Sequence, residues 1–252
     1  MPIGEVLVLF AAGIAAGTVN TIVGSGSLIT FPTLLAFGYP PLLANVTNNI
    51  GVLPGSFSGL IVSRVELRGQ RQRQRLVRLA VGSLLGGTAG AVLLLRLPES
   101  VFDGVVPVLI LLACALVAIQ PRITSAVRRR GRPIGHGAVL LWAAVLLTGV
   151  YGGYFGAAQG VILVAVLGVF VDEDLPRLNA AKNVLAGMAN LAAAIVFALT
   201  TDVAWHAALA IAVGAAIGGQ FGPRIGRRLP PAAYRGVIVV VGVAVSVVLL
   251  LD

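Results

Sequence analysis

Apolar positions run along this chain in long blocks, not in the two-residue alternation of strands or the one-sided stripe of a surface helix. Uncharged stretches cover 6–63, 79–95, 105–120, 138–171, 203–223 and 236–251. Several reach the roughly 20 residues that a membrane-spanning helix needs. A transmembrane barrel would instead show ten-residue alternating segments, on the order of the strand lengths such barrels use. The blocks predict spanning helices over 42–63, 79–97 and 101–119, and again over 178–199, 205–222 and 235–251.

Two blocks are interrupted. The stretch 16–38 is too apolar for a surface loop, yet it carries Gly, Ser, Thr and Asn in a density that an ordinary span does not. It predicts a hairpin over 3–38 that enters the bilayer, breaks at Gly24-Ser25-Gly26 and returns to the side it left. A second hairpin is predicted over 137–170, with its tip near 156–160. Gly38-Tyr39-Pro40-Pro41 reads as the turn that closes the first hairpin, because proline lacks an N–H and restricts the residue before it.

The two halves of the chain repeat. Gly17 and Gly24 match Gly149 and Gly156 at an offset of 132, and VGSLLGGTAG at 81–90 matches VGAAIGGQFG at 213–222 at the same offset. Arg96-Leu97-Pro98 matches Arg228-Leu229-Pro230, again at 132, while Asn45 and Asn49 match Asn179 and Asn183 at 134. Residues 1–120 therefore read as repeat one and 121–252 as repeat two, in one membrane domain. The expected fold is an all-α polytopic membrane protein. It has two inverted-topology repeats, each a broken or re-entrant helical hairpin plus three spanning helices.

Charge fixes the expected orientation. The net charge of +9 could suggest a nucleic-acid partner, but the arginines are gathered in three interhelical segments, 64–78, 120–136 and 223–235. That is the positive-inside pattern. Counting crossings from those cytoplasmic loops leaves sixteen of the eighteen basic residues inside, both termini external, and the repeats inverted. The expected location is a bacterial-type inner membrane, with the lipid bilayer as a partner and no nucleic acid. Hydrophobic residues make up 58% and charged residues 11%, too few charges to clothe a soluble exterior, and the mean hydropathy is +1.00. A homodimer is compatible with all of this. The N-terminus has no Lys or Arg before its first apolar run, which argues against a cleaved signal peptide.

No catalytic set emerges, so the chain does not read as an enzyme. His136 and His206 stand apart from each other and from any acid, and Cys114 is the single cysteine. No metal site and no cofactor are expected. The glycines at 82, 86 and 90, and at 214, 218 and 222, are spaced for close helix packing. Polar residues inside apolar blocks are costly unless paired or hydrated. They gather at the two breaks and at the start of the following span. The candidate substrate-binding set is Asn20, Ser25, Gly26, Ser27, Thr47, Asn48 and Asn49 in repeat one, with Tyr151, Gln159, Asn179, Lys182 and Asn183 in repeat two. Interhelical hydrogen bonding is the competing account of the scattered Ser and Thr.

Lys182 is the only lysine of the chain. It can snorkel to the interface, or it can supply a point charge to an anion. Broken helices favour the same ligand sign, because a half-helix start exposes N–H groups and a positive dipole end. The nine acids fall in loops or near helix ends, with none at a span centre to serve a proton relay. For an anion leaving a cell that is negative inside, the potential itself favours export by ~2.3 kcal/mol per charge per 100 mV.

The patterns G-x-x-N-x-x-x-G-x-G-S-L-I-x-F-P at 17–32, A-N-x-T-N-N at 44–49, G-x-Y-G-G-x-F-G at 149–156 and N-A-A-K-N at 179–183 resemble the TauE/SafE sulfite-exporter family. The resemblance spans nearly the whole chain. It implies a secondary transporter that exports a small sulfur-containing anion, such as sulfite or an organosulfonate, by alternating access. A non-transporting membrane assembly or redox partner is the alternative of a different class. An integral membrane enzyme and a metal-cation permease would both want His, Cys or acidic clusters that these spans lack.

Overall fold

A computed structural model describes residues 2–63, 67, 70–129, 137–225 and 231–251. Among the described residues the protein is all helical, with ten helices and no strand. They are α1 (Ile3–Ile22), α2 (Ser27–Ala36), α3 (Pro41–Ser63), α4 (Gln70–Arg96), α5 (Glu99–Arg129), α6 (Ala138–Tyr154), α7 (Gln159–Phe170), α8 (Leu175–Thr200), α9 (Trp205–Ile225) and α10 (Pro231–Leu251). Among the described residues, four stretches are long and apolar enough to cross a membrane: Ile3–Ile22, Gln72–Arg96, Glu99–Arg129 and Leu175–Thr200. The outer surface of the bundle carries exposed Leu85, Leu147, Leu209 and Val240, as a lipid-facing surface requires.

Both interrupted blocks are helical hairpins. α1 ends when Gly24 takes a positive φ of 84° and donates its N–H to Val19 O at 3.2 Å; α6 ends in the same way, with Gly156 at φ 80° and its N–H on Tyr151 O at 3.1 Å. A left-handed residue there caps the helix and reverses the chain, which glycine does without a Cβ penalty. The short arms α2 and α7 then begin within the protein. α8 starts on a side-chain cap, Asp174 Oδ1 accepting the Arg177 N–H at 3.1 Å, with Pro176 in its first turn.

Two helices are longer than their hydropathy predicts. The apolar block places the start of α4 at 79, and the helix begins at Gln70; it places the end of α5 at 119, and the helix continues through Pro121 to Arg129. Hydropathy marks only the lipid-facing part of a helix, whereas Gln, Arg and Leu sustain helix well into water. The two basic segments are thus partly helical extensions. His206 is exposed at the start of α9, and His136 lies outside the described residues.

The packing is reciprocal between the halves. α1 packs along α9 and α6 along α4; α3 also packs on α9, α8 also on α4, and α5 pairs with α10. The glycine series lies in these seams. A Cβ on Gly86 or Gly90 would overlap the backbone carbonyls of Leu146 or Val150 in α6, and one on Gly214 or Gly218 those of Phe10 or Ile14 in α1. Backbones in such contact have no room for a methyl group.

Candidate functional site

The two hairpin tips meet. Gly160, in the first turn of α7, donates its N–H to Gly24 O at 3.2 Å. A Cβ on either glycine would come 2.6 Å from the Cα of the other, so the approach depends on both being glycine. Gly26 is held as closely against α1, where an added Cβ would overlap Ala16 O. The starts of α2 and α7 therefore sit side by side inside the protein, and each brings the positive end of a helix dipole.

Lys182 lies beside this junction. Its side chain is 1% exposed, and its Cδ would be 3.1 Å from a Cβ on Gly160. Its ammonium donates to Asn20 O at 3.5 Å, a long contact, and among the described residues no carboxylate pairs with it. The ammonium is enclosed by the protein and points from α8 to the end of α1. An ammonium has three donors, so a single long bond leaves it under-satisfied.

Other polar groups around the tips are also buried. Ser25 Oγ and Gln159 Oε1 have no hydrogen-bond partner among the described residues, and both side chains are nearly inaccessible, at 1% and 2%. Gln159 Nε2 donates to Thr148 O at 3.2 Å, and Asn20 Nδ2 donates to Ser56 Oγ at 3.0 Å. Ser27 opens α2 and is half-buried, and Asn183 follows Lys182 and is buried. Asn49 is buried with its Oδ1 unpartnered.

Four of the candidate residues have other local roles. Tyr151 Oη donates to Ala157 O at 2.6 Å and so braces the second tip. Thr47 accepts the Ala204 N–H at 3.1 Å, which ties α3 to the α8–α9 link. Asn48 accepts the Thr30 hydroxyl, joining α3 to α2. Asn179 lines a cavity of about 600 Å³ with Ile22, Val23, Val164, Gln120 and two arginines, Arg128 and Arg235.

Ser56, Asn45, Thr30 and Asn190 join the polar set although they are not among the candidate residues above. Asn45 Nδ2 donates to Tyr154 O at 2.9 Å, which fixes α3 to the end of α6, and Asn190 is buried with Oδ1 unpartnered. Each is a polar residue within an apolar run, so the sequence carries the signal for it. On one side of the tips stand aromatic rings: Phe31 meets Phe155 edge-on at 5.4 Å, and Phe102 meets Tyr154 at 5.8 Å.

Among the described residues no group of His, Cys, Asp and Glu could hold a metal ion. The chemistry on offer is that of an anion cradle: one buried cation, two helix starts and neutral amide and hydroxyl groups.

Comparison with known proteins agrees on class. A family profile described as Sulfite exporter TauE/SafE matches residues 9–249. The "Probable membrane transporter protein YfcA" of Escherichia coli (strain K12) is 27% identical over 247 residues, covering 97% of this chain and 89% of that protein. A "Probable membrane transporter protein" of Haemophilus influenzae is 26% identical over 221 residues, covering 86% of this chain and 84% of that one. The "Probable membrane transporter protein ORF9" of Sinorhizobium sp is 27% identical over 244 residues, covering 97% and 92%. No solved structure matches.

Proposed function

This chain belongs to the sulfite exporter TauE/SafE family, and from that premise we propose that it is a secondary transporter exporting a small sulfur-containing anion, sulfite or an organosulfonate, by alternating access. The observation that carries the proposal is Lys182: a buried ammonium without a carboxylate partner, beside two glycine-built helix starts. A buried charge without a partner is destabilising. An anion resting between Lys182, Asn20 and the starts of α2 and α7 would supply what the ammonium lacks, and the unpartnered Ser25 hydroxyl would donate to it.

The topology supports a two-state mechanism. The reciprocal packing of α1 on α9 and α6 on α4 is what inverted repeats over 1–120 and 121–252 would produce. With the Arg-rich segments cytoplasmic, the rings of Phe31, Phe155, Phe102 and Tyr154 lie on the outer side of the tips, and the cavity at Asn179 opens inward. On this reading the protein is inward-open, with its outer side closed. Export of an anion is then driven by the inside-negative potential, without a proton-carrying carboxylate.

Efflux of radiolabelled sulfite from proteoliposomes under an imposed potassium diffusion potential tests both parts. Efflux should accelerate as the interior becomes more negative, and Lys182→Ala should reduce it to the protein-free level. A variant that transports like the parent would remove Lys182 from the site, and a flux indifferent to the potential would remove the driving force.

A further inference from the structure

The cavity lined by Asn179 is not part of the cradle around Lys182, and its lining has a chemistry of its own. Its volume is about 600 Å³, several times that of a small oxyanion, and its walls come from the C-terminal ends of α1 and α5, the middle of α7 and the starts of α8 and α10. Arg128 from α5 and Arg235 from α10 both line it, together with Thr124, Ser125 and Gln120, and no acid is among the described residues of its lining, although Arg128, Leu175 and Pro176 also border a neighbouring cavity that carries Asp172, Glu173 and Asp174. The Gln120 Oε1 atom is buried and unpartnered among the described residues. Ile22 and Val23, which lead directly into Gly24 at the first tip, form part of the lining.

The position of Asn179 links this cavity to Lys182. The two residues are three apart on α8, so they share a helix face at a rise of about 4.5 Å. Asn179 is half-buried in the cavity wall, whereas Lys182 is 1% exposed. The buried Val23 and Val164 also line the cavity, at the end nearest the tips.

The repeat supplies a comparison within the chain. ESVFDG at 99–104 and PAAYRG at 231–236 correspond at the offset of 132, which sets Asp103 against Arg235. Each residue is in the first turns of its helix, α5 or α10. At equivalent positions the two repeats thus carry an arginine in a cavity wall and an exposed aspartate. Symmetry of the backbone does not extend to the charge.

We propose that Arg128 and Arg235, with Asn179, form a second anion site: a cytoplasmic antechamber that captures an oxyanion before it reaches Lys182. The inference rests on the orientation and transport reading given above. A guanidinium suits this task, because its planar fork matches two oxygens of a sulfur or phosphorus oxyanion. Two guanidinium groups on the walls of a largely apolar cleft also raise the local concentration of an anion.

Uptake of radiolabelled sulfite by inverted membrane vesicles presents the cytoplasmic mouth, and uptake by right-side-out vesicles presents the other. In inverted vesicles at low ionic strength, the double variant Arg128→Gln/Arg235→Gln should raise KM about tenfold, within the range that charge steering provides. The gap should close in about 1 M salt, where screening acts within about 3 Å. Arg128→Lys/Arg235→Lys should retain most of the parental KM. An unchanged KM in inverted vesicles, or an equal rise on both faces, would overturn the antechamber. Loss of transport by Lys182→Ala is independent of this result, so failure of the antechamber and failure of the central site give different patterns.

Discussion

Three glycine-to-alanine substitutions separate the two demands that the hairpin tips place on the chain. Gly38 and Gly24 have nearly the same backbone, with φ of 83° and 84°. A Cβ on Gly38 meets nothing within 4 Å, whereas one on Gly24 would come 2.6 Å from Gly160 Cα. Gly38→Ala therefore reports only left-handed strain, about 1–2 kcal/mol. Gly160→Ala has no such strain and reports only the contact. It must push the tips apart, which costs about 1–3 kcal/mol of overpacking, and it weakens the Gly160 N–H···O Gly24 bond, worth about 1 kcal/mol. Gly24→Ala combines both and should lose about 3–6 kcal/mol. Denaturant titration of the purified protein, following helix content, gives the three values, and the Gly24→Ala/Gly160→Ala double variant tests whether the contact terms fail to add. If Gly24→Ala costs no more than Gly38→Ala, the tips are not in contact and no cradle forms between them.

Two further outcomes follow from charge. Lys182→Met keeps the approximate volume and removes a buried ammonium held by one long bond and no carboxylate; the ligand-free protein should become more stable by at least about 1 kcal/mol, while stabilisation by sulfite in a thermal melt should vanish, and a less stable variant would mean that Lys182 serves the fold. Glu173 bridges Arg75 and Arg177 at 3.0 and 2.9 Å. Burial alone would raise its carboxyl, but hydrogen bonds and charge from Arg177 and Arg75 prevail and hold it below the ordinary 4.5. Its contribution is thus complete above 4.5 and lost as pH falls through the lower folded value. Since both arginines are over one-third exposed, that contribution stays below about 1 kcal/mol; Glu173→Gln should flatten the acid limb of a stability–pH curve by that small amount, and an unchanged limb would assign it to another carboxylate.

The hairpins were readable because their signal is local. A glycine pair in an apolar run both breaks a helix and permits the chain to reverse, and α1 stops at Ile22 and α2 starts at Ser27, on either side of Gly24-Ser25-Gly26. The extensions of α4 and α5 were not readable from hydropathy, which reports the solvent around a helix and not the helix itself. The polar positions were equally visible, but their partners were not. Asn20 and Ser56 are thirty-six residues apart, and Thr47 bonds a backbone group 157 residues away. Such pairings depend on how helices cross, and no spacing along a single helix encodes them. Lys182 was ambiguous for the same reason: a lysine two turns into α8 can reach the interface or the interior, and only the neighbouring α1 decides which.

The reciprocal seams also bear on how this chain comes into being. α1 and α3 take their covering helix, α9, from near the end of the chain, while α4 is covered by α6 and α8 from the second half. When the first five helices have been synthesised, the glycine-lined faces of α1 and α4 still lie against lipid. Neither half completes its own packing, and the nascent protein must wait for more than a hundred residues before the first hairpin acquires its partner. The closely packed units are therefore not the two halves of the chain. They are α1–α3 with α9, and α6–α8 with α4, each assembled from both halves of the chain.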